Sequence, residues 1–160
     1  MTAALASLAV VTIILRCLWL WQPERQVLLH QAHFRAAVER RDWPRIHDMH
    51  DASYSDRWGY TREKGIQEAR QWLGQFFALT VTAEPVSDQL TADGGTITEK
   101  WKIDGTGTEG ASMVKDYVNG VQTPFVFQWK HASWKPWDWT LVRVDNAGLN
   151  LSDAGMQGAD

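Results

Sequence analysis

The spacing of apolar side chains changes period once along this chain, after Phe77, and that change constrains the fold more than any motif does. From Pro23 to Arg41, Val27, Gln31, Phe34, Ala37 and Val38 fall on one face at about 100° per residue, with His30 on its flank. Asp42 is placed to cap a short second helix, with Pro44 in its first turn and Ile46, Met49 and His50 directed inward. Tyr54–Tyr60 reads as a loop or short strand. Thr61 is the expected N-cap of a third helix, with Glu63 in the first turn and Ile66, Ala69, Leu73, Phe76 and Phe77 as its buried stripe. Beyond Phe77 the period is two. Leu79, Val81 and Ala83 alternate with polar residues, and Ile97, Glu99, Trp101 and Ile103 do so after the turn Asp93-Gly94-Gly95. Phe125, Phe127, Trp129 and His131 form one face of a third strand; Trp137, Trp139, Leu141 and Arg143 form one face of a fourth, across a hairpin at Ser133–Pro136. Met113, Val114, Tyr117 and Val118 have helical spacing and stop at Asn119-Gly120. Three helices followed by four antiparallel strands predict an α+β domain, its helices packed in the concavity of a strongly curved sheet.

Ten tryptophans decide what that concavity is made of. Trp101, Trp129 and Trp139 share a sheet face with Phe125, Phe127 and Leu141 if the alternation holds, while Tyr54, Trp58 and Tyr60 lie near its mouth. Large indoles at alternating positions either fill a core or line a cavity, and the pattern alone leaves both open. Trp134 and Trp137 flank Lys135-Pro136 at the hairpin tip, where exposed rings could dock a partner, a sugar or a membrane surface. A net charge of −3 and the absence of a basic stripe argue against a nucleic-acid partner. The single cysteine, Cys17, excludes an internal disulfide.

The stretch from Ala3 to Trp21 is apolar over 19 residues apart from Ser7, Thr12 and Arg16, just long enough to cross a bilayer. With Trp19 and Trp21 suited to an interfacial belt and no small-x-small cleavage site after the apolar core, it reads as a single-pass anchor over residues 1–22, giving a membrane localisation with the side of the domain unresolved. Residues 23–145 then form one domain, and 146–160, rich in Gly, Ala, Asn and Asp, read as a disordered tail.

The order of elements, the helix ending in Arg41-Asp42-Trp43, the segment Tyr54-Ser55-Asp56-Arg57-Trp58-Gly59 and the helix after it resemble the nuclear transport factor two superfamily, whose members include steroid isomerases and polyketide cyclases. The resemblance runs over roughly Glu24–Val144 and is one of pattern. It implies a conical cavity between the first helix and the concave sheet face, and a homodimer through the sheet. In the isomerase branch it implies Asp56 as the base that moves a proton beside a carbonyl. That chemistry also needs hydrogen-bond donors to the oxyanion. At the matching positions this chain has Phe34, which cannot donate, and Gln128 in place of an aspartate.

Other signals are weaker. His30/His33 and His47/His50 each place two imidazoles one helical turn apart, but the spacing around them matches no standard metal signature, so no metal is expected. Gly105-Thr106-Gly107-Thr108-Glu109-Gly110 has the letters of a dinucleotide fingerprint without a parallel crossover to support it, and reads as a flexible loop; no cofactor is implied. The reading that follows is a membrane-anchored, non-catalytic cone domain for a small apolar ligand or a protein partner. The pocket is expected from Phe34, His30, Tyr54, Trp58, Tyr60, Glu99, Trp101, Phe127, Trp129 and Trp139, with His131 and Arg143 as further polar candidates. The alternatives are an isomerase-, dehydratase- or cyclase-like enzyme with Asp56 as general base, and an assembly module of a membrane complex presenting Trp134–Trp139.

Overall fold

The computed structural model describes residues 10–13, 15, 16 and 21–150. Helix α1 spans Pro23–Arg40, α2 Trp43–Met49, α3 Arg62–Leu73 and α4 Glu109–Gly120; the strands are β1 Phe76–Leu90, β2 Gly94–Gly107, β3 Phe125–His131 and β4 Trp139–Asn146. The four strands form one antiparallel sheet in the order β1-β2-β3-β4. The α+β architecture follows the change of period, with one helix more than the three that define the expected cone, since α4 extends the short helical run at Met113–Val118.

Each helix begins where its sequence provides a start. Pro23 opens α1 at a position whose N–H would find no helical partner, so its lack of one costs nothing, and the Asp42 carboxylate accepts from Arg45 N at 3.3 Å to cap α2. Thr61 caps α3 through its hydroxyl, and that helix stops at Gly74, earlier than its apolar stripe suggested. Phe76, expected on α3, instead starts β1 with 1% exposure, and Phe77 is 74% exposed. Arg41, left-handed at φ 56, turns the chain off α1 and donates from its guanidinium to the carbonyls of Phe76 and Phe77, tying the end of α1 to the start of β1.

Curvature comes from bulges. β1 carries two register shifts against β2, which leave Phe77 and Val86 as the extra residues, and a third lies between β3 and β4 at Val142. Pro85 is tolerated because β1 is an edge strand. The opposite edge is covered: Asp51, Ser55 and Arg57 donate backbone N–H bonds to the carbonyls of Leu141, Val142 and Val144 at 2.9–3.2 Å. The segment 50–57 thus runs beside β4 like an added strand and alternates in the same way, Tyr54 and Asp56 buried, Ser55 and Arg57 exposed.

Two apolar clusters fill the interior. One joins Val27, Phe34, Ala37, Ile46, Ile66, Ile97, Phe127, Trp129, Trp139 and Leu141 between α1–α3 and the sheet; the other joins Phe76, Leu79, Val81 and Ile103 to Ala111 and Val114 of α4. Each fully buried Phe or Leu contributes about 1.5–3 kcal/mol by removal from water. The glycines of the 105–110 stretch serve this packing rather than a loop. Gly105 and Gly107 lie within β2, where a Cβ would stand 2.0 Å from Ala78 O at Gly105 and 2.3 Å from Gln75 O at Gly107.

At the N-terminus the expected membrane span does not stand. Among the described residues no helix is long and apolar enough to cross a membrane. Ala3–Ala9, Ile14 and Cys17–Leu20 lie outside the described residues; Val10–Ile13, Leu15 and Arg16 are helical and exposed. The chain turns at Trp21, Gln22 is extended, and Pro23 starts a separate polar-faced helix, so the apolar run does not continue into α1. Trp21, expected in an interfacial belt, places its ring 6.4 Å from that of Trp137. The single-pass membrane localisation is corrected accordingly.

At the other end, Asn146–Asn150, read from the sequence as the start of a disordered tail, is packed onto the domain. Asn146 is fully buried; its amide oxygen accepts from Thr123 Oγ1, Gly148 N and Leu149 N at 2.6–3.0 Å, and its amide nitrogen donates to Thr123 O at 3.0 Å. The remainder, 151–160, lies outside the described residues.

Candidate functional site: an acidic, aromatic cavity

A cavity of about 220 Å³ lies between the first three helices and the concave sheet face. Phe34 and Val38 enter it from α1, Trp43 and Ile46 from α2, Gly65, Ile66, Glu68, Ala69, Trp72 and Leu73 from α3, Trp101, Ile103, Phe125, Phe127 and Val144 from the sheet, Val118 from α4, and Leu149 from the C-terminal turn. The segment beside β4 supplies His50, Tyr54, Asp56, Trp58 and Tyr60. Leu149, 7% exposed, is held in place by Trp58, whose indole N–H donates to Leu149 O at 2.9 Å. A larger depression of about 400 Å³ at Gln22, Glu24, Arg25, Leu28, Asp88 and Leu90 is an open hollow without an aromatic wall.

The polar groups of the cavity wall are few. Asp56 is 5% exposed; its Oδ1 accepts from Trp58 N at 2.9 Å and Tyr60 N at 2.8 Å. Burial raises its pKa against the lowering effect of those N–H groups and of Arg143. Tyr54, next to it along the segment, has its phenol pKa raised, first by burial and then by the Asp56 charge. His50 donates from Nδ1 to Ile46 O at 2.7 Å, so its Nε2 carries the lone pair; burial lowers its pKa to about 4, and the ring is neutral at pH 7. Glu68, 4% exposed, accepts at Oε1 from Lys64 Nζ at 2.8 Å. Its Oε2 and the Trp72 indole N–H are buried with no hydrogen-bond partner among the described residues. A buried polar group left without a partner costs about 1–3 kcal/mol.

Of the residues singled out from the sequence, Phe34, Tyr54, Asp56, Trp58, Tyr60, Trp101 and Phe127 are brought together on this wall. Six others, Glu99, His30, Trp129, Trp139, His131 and Arg143, lie elsewhere. Glu99 accepts from Gln31 Nε2 and Trp101 Nε1, both at 2.8 Å, and pairs with Arg35 at 3.5 Å, while Trp129 Nε1 donates to Gln31 Oε1 at 2.9 Å. His30 donates to Gln26 O and meets Trp129 edge-on, its pKa lowered chiefly by burial. Trp139 stacks on His131 at 4.7 Å and donates to Pro136 O. Gln128 lies between inward-facing Phe127 and Trp129 and so occupies the opposite face, and the bulge at Val142 pairs Arg143 with it there. Among the described residues no group of three or more His, Cys, Asp or Glu side chains is placed to hold a metal ion.

Sequence reasoning missed Glu68, Trp72, Trp43 and Leu149. The signal for the first two was present: Gly65, Glu68 and Trp72 recur at i, i+3 and i+7 along α3, a second stripe beside the apolar one. Nothing in the local pattern placed Leu149, because its position depends on Asn146 and Trp58.

No family model matches the chain, and no curated protein matches it. Solved structures do. An NTF2-like protein from Cytophaga hutchinsonii aligns at a TM-score of 0.53 with 14% identity over 79% of this chain and 98% of its own. A provisionally assigned dehydratase of the NTF2-like family from Streptomyces avermitilis aligns at 0.55 with 15% identity, over 79% and 96%. Bd1075 from Bdellovibrio bacteriovorus aligns at 0.57 with 10% identity over 79% of this chain, which spans 41% of that longer chain. The chain therefore has the NTF2-like cone fold.

Proposed function

We propose that this chain is a ligand-binding cone domain that holds one small molecule, without transforming it, in the cavity between α3, the segment 50–60 and the sheet. The observation that carries the reading is the pair of buried, unpartnered polar atoms, Glu68 Oε2 and Trp72 Nε1, on residues of an otherwise aromatic and aliphatic wall. In a filled core the large majority of buried side-chain polar atoms are hydrogen-bonded, so two unpartnered ones on one cavity wall call for a ligand's polar groups. The volume suits a compact ligand: a cavity of about 150 Å³ holds benzene, and this one, at about 220 Å³, admits a ring with a short substituent. Native mass spectrometry of the full chain, purified from its host and compared before and after denaturation, tests this. An added mass that disappears on denaturation and is absent from Ala69→Phe, which fills the cavity, is the expected result. Equal retention by Ala69→Phe places the ligand elsewhere and overturns the reading.

The second reading, an isomerase- or dehydratase-like enzyme, is favoured by one observation, the raised pKa of Asp56 beside Tyr54 in that wall. Against it, the first-helix position that would supply an oxyanion donor is Phe34, Gln128 lies on the opposite sheet face, and neutral His50 has already used its N–H on Ile46 O. Turnover of any substrate that survives Asp56→Asn removes Asp56 from the role of base.

A further inference from the structure

Resting on that reading, we infer that the cavity takes a small organic cation, an arylalkylammonium of about one ring that carries a hydroxyl near its nitrogen. The charge of the wall is one-sided. Asp56 and Glu68 line the cavity and no lysine or arginine does. Arg62 pairs with Glu63 at 2.9 Å and Arg143 with Asp145 at 3.3 Å, and neither lines the cavity. An anionic ligand would enter this wall against two carboxylates, and the Lys64 ammonium at its rim is already paired with Glu68 Oε1. Both carboxylates border the same stretch of α3, since a Cβ at Gly65 would stand 3.7 Å from Asp56 Oδ2 and Glu68 follows Gly65 by one helical turn, and an ammonium in the cavity has both on its wall.

The chain already places an ammonium at the rim of this site. Lys64 Nζ lies 2.8 Å from Glu68 Oε1 and 6.0 Å from the centroid of the Tyr60 ring, and Arg70 lies over the Trp43 ring at 5.5 Å. Carboxylate plus aromatic ring is thus a combination that attracts cations here from outside, and the second oxygen of the same carboxylate is the one left without a partner. Trp72 Nε1, one turn beyond Glu68, calls for an acceptor close to the ligand's nitrogen, and a hydroxyl on the adjacent carbon supplies it.

The test uses three probes of one shape on the full chain by isothermal titration calorimetry: 2-amino-1-phenylethanol as its ammonium, the neutral 1-phenylethane-1,2-diol, and mandelate. The ammonium is expected to bind at least about tenfold more tightly than the diol, as a hydrogen bond to a charged partner allows, and mandelate not to bind. Asp56→Asn keeps the Oδ1 that accepts from Trp58 and Tyr60, and Glu68→Gln keeps its shape; each is expected to weaken the ammonium more than the diol, so that the preference for the ammonium falls several-fold. Lys64→Met removes the competing cation and is expected to tighten ammonium binding several-fold. Equal binding of ammonium and diol, or preferential binding of mandelate, overturns the cation inference and leaves the cavity reading intact. Binding of none of the three, together with no added mass on the purified chain, overturns both.

Discussion

Two buried glutamates in this molecule sit among tryptophans, and they differ in what surrounds them. Glu99 has its oxygens shared among Gln31, Trp101 and Arg35, and Gln31 passes the network on to Trp129. Glu68 has one oxygen on Lys64 and one on nothing. The first is a closed network that fixes α1 against the sheet; the second is an open one beside a cavity. Burial and aromatic company do not distinguish a structural carboxylate from a binding one, but the count of satisfied atoms does.

That contrast breaks most visibly at Glu99. Glu99→Ala leaves the Gln31 amide, the Trp101 indole and the Arg35 guanidinium without their acceptor, and a loss of about 3–5 kcal/mol is expected, as when one partner of a buried ionic network is removed. Urea melts of the full chain measure it. A loss below about 1 kcal/mol would mean that the network adds little beyond the packing around it.

The next effect separates the two regions by pH. His50 on the cavity side has its pKa lowered to about 4, from 6.5 in the unfolded chain. Between these values the unfolded chain binds the extra proton, so stability is full above pH 6.5 and falls as the pH drops toward 4. The loss is on the order of 3 kcal/mol. Asp56, whose raised pKa acts with the opposite sign over the lower part of that window, trims it. His50→Phe, which keeps a ring against Phe34 and Tyr54, is expected to flatten the stability–pH curve between pH 4 and 6.5; an unchanged slope would assign the titration to other groups, His30 first among them.

How much of this was legible in the sequence differs between the same two regions. The closed network lies on elements with clear periods: Gln31 on the inward face of α1, Glu99 and Trp101 two apart on β2, Trp129 on β3. The alternation placed all of them on inward faces, though it cast Glu99 as a pocket residue because it could not show that Gln31 and Trp101 would use up its oxygens. The cavity is built largely from residues whose positions depend on long-range contacts. Tyr54 and Asp56 turn inward because segment 50–57 bonds to β4, some 85 residues later, and Leu149 does so because Asn146 folds the chain back. The bulge at Val142 reversed Arg143 for the same reason: a strand's period is local, whereas its interruptions follow from the partner strand. At the N-terminus, hydropathy alone suggested a span, and the turn at Trp21 with its contact to Trp137 was invisible to a window that counts apolar residues.

Glu68→Leu carries the comparison into a gain. Removing the carboxylate ends the penalty of the unpartnered oxygen, about 1–3 kcal/mol, and forfeits a partly exposed Lys64 pair worth about 0.5 kcal/mol. A net stabilisation of about 1 kcal/mol is expected, opposite in sign to Glu99→Ala. A loss comparable to that of Glu99→Ala would show Glu68 to be structural and remove the distinction on which the site rests.

The smallest effect is the sharpest test of where the site ends. Gly65 lies inside α3 with no positive φ, and a Cβ there would meet Asp56 Oδ2 and Tyr54 Cε1 at 3.7 Å, an ordinary contact. Helix propensity alone predicts that Gly65→Ala stabilises the chain by about 0.5–1 kcal/mol. The same methyl would cover the Asp56 oxygen that the ligand's ammonium needs, so binding of 2-amino-1-phenylethanol is expected to weaken several-fold in a protein that melts higher. Stability rising with affinity unchanged would move the ammonium away from Asp56 and onto Glu68 alone, because only a group seated against Oδ2 is displaced by a methyl at that point. A helix glycine that lowers stability has its explanation in what the missing side chain leaves open.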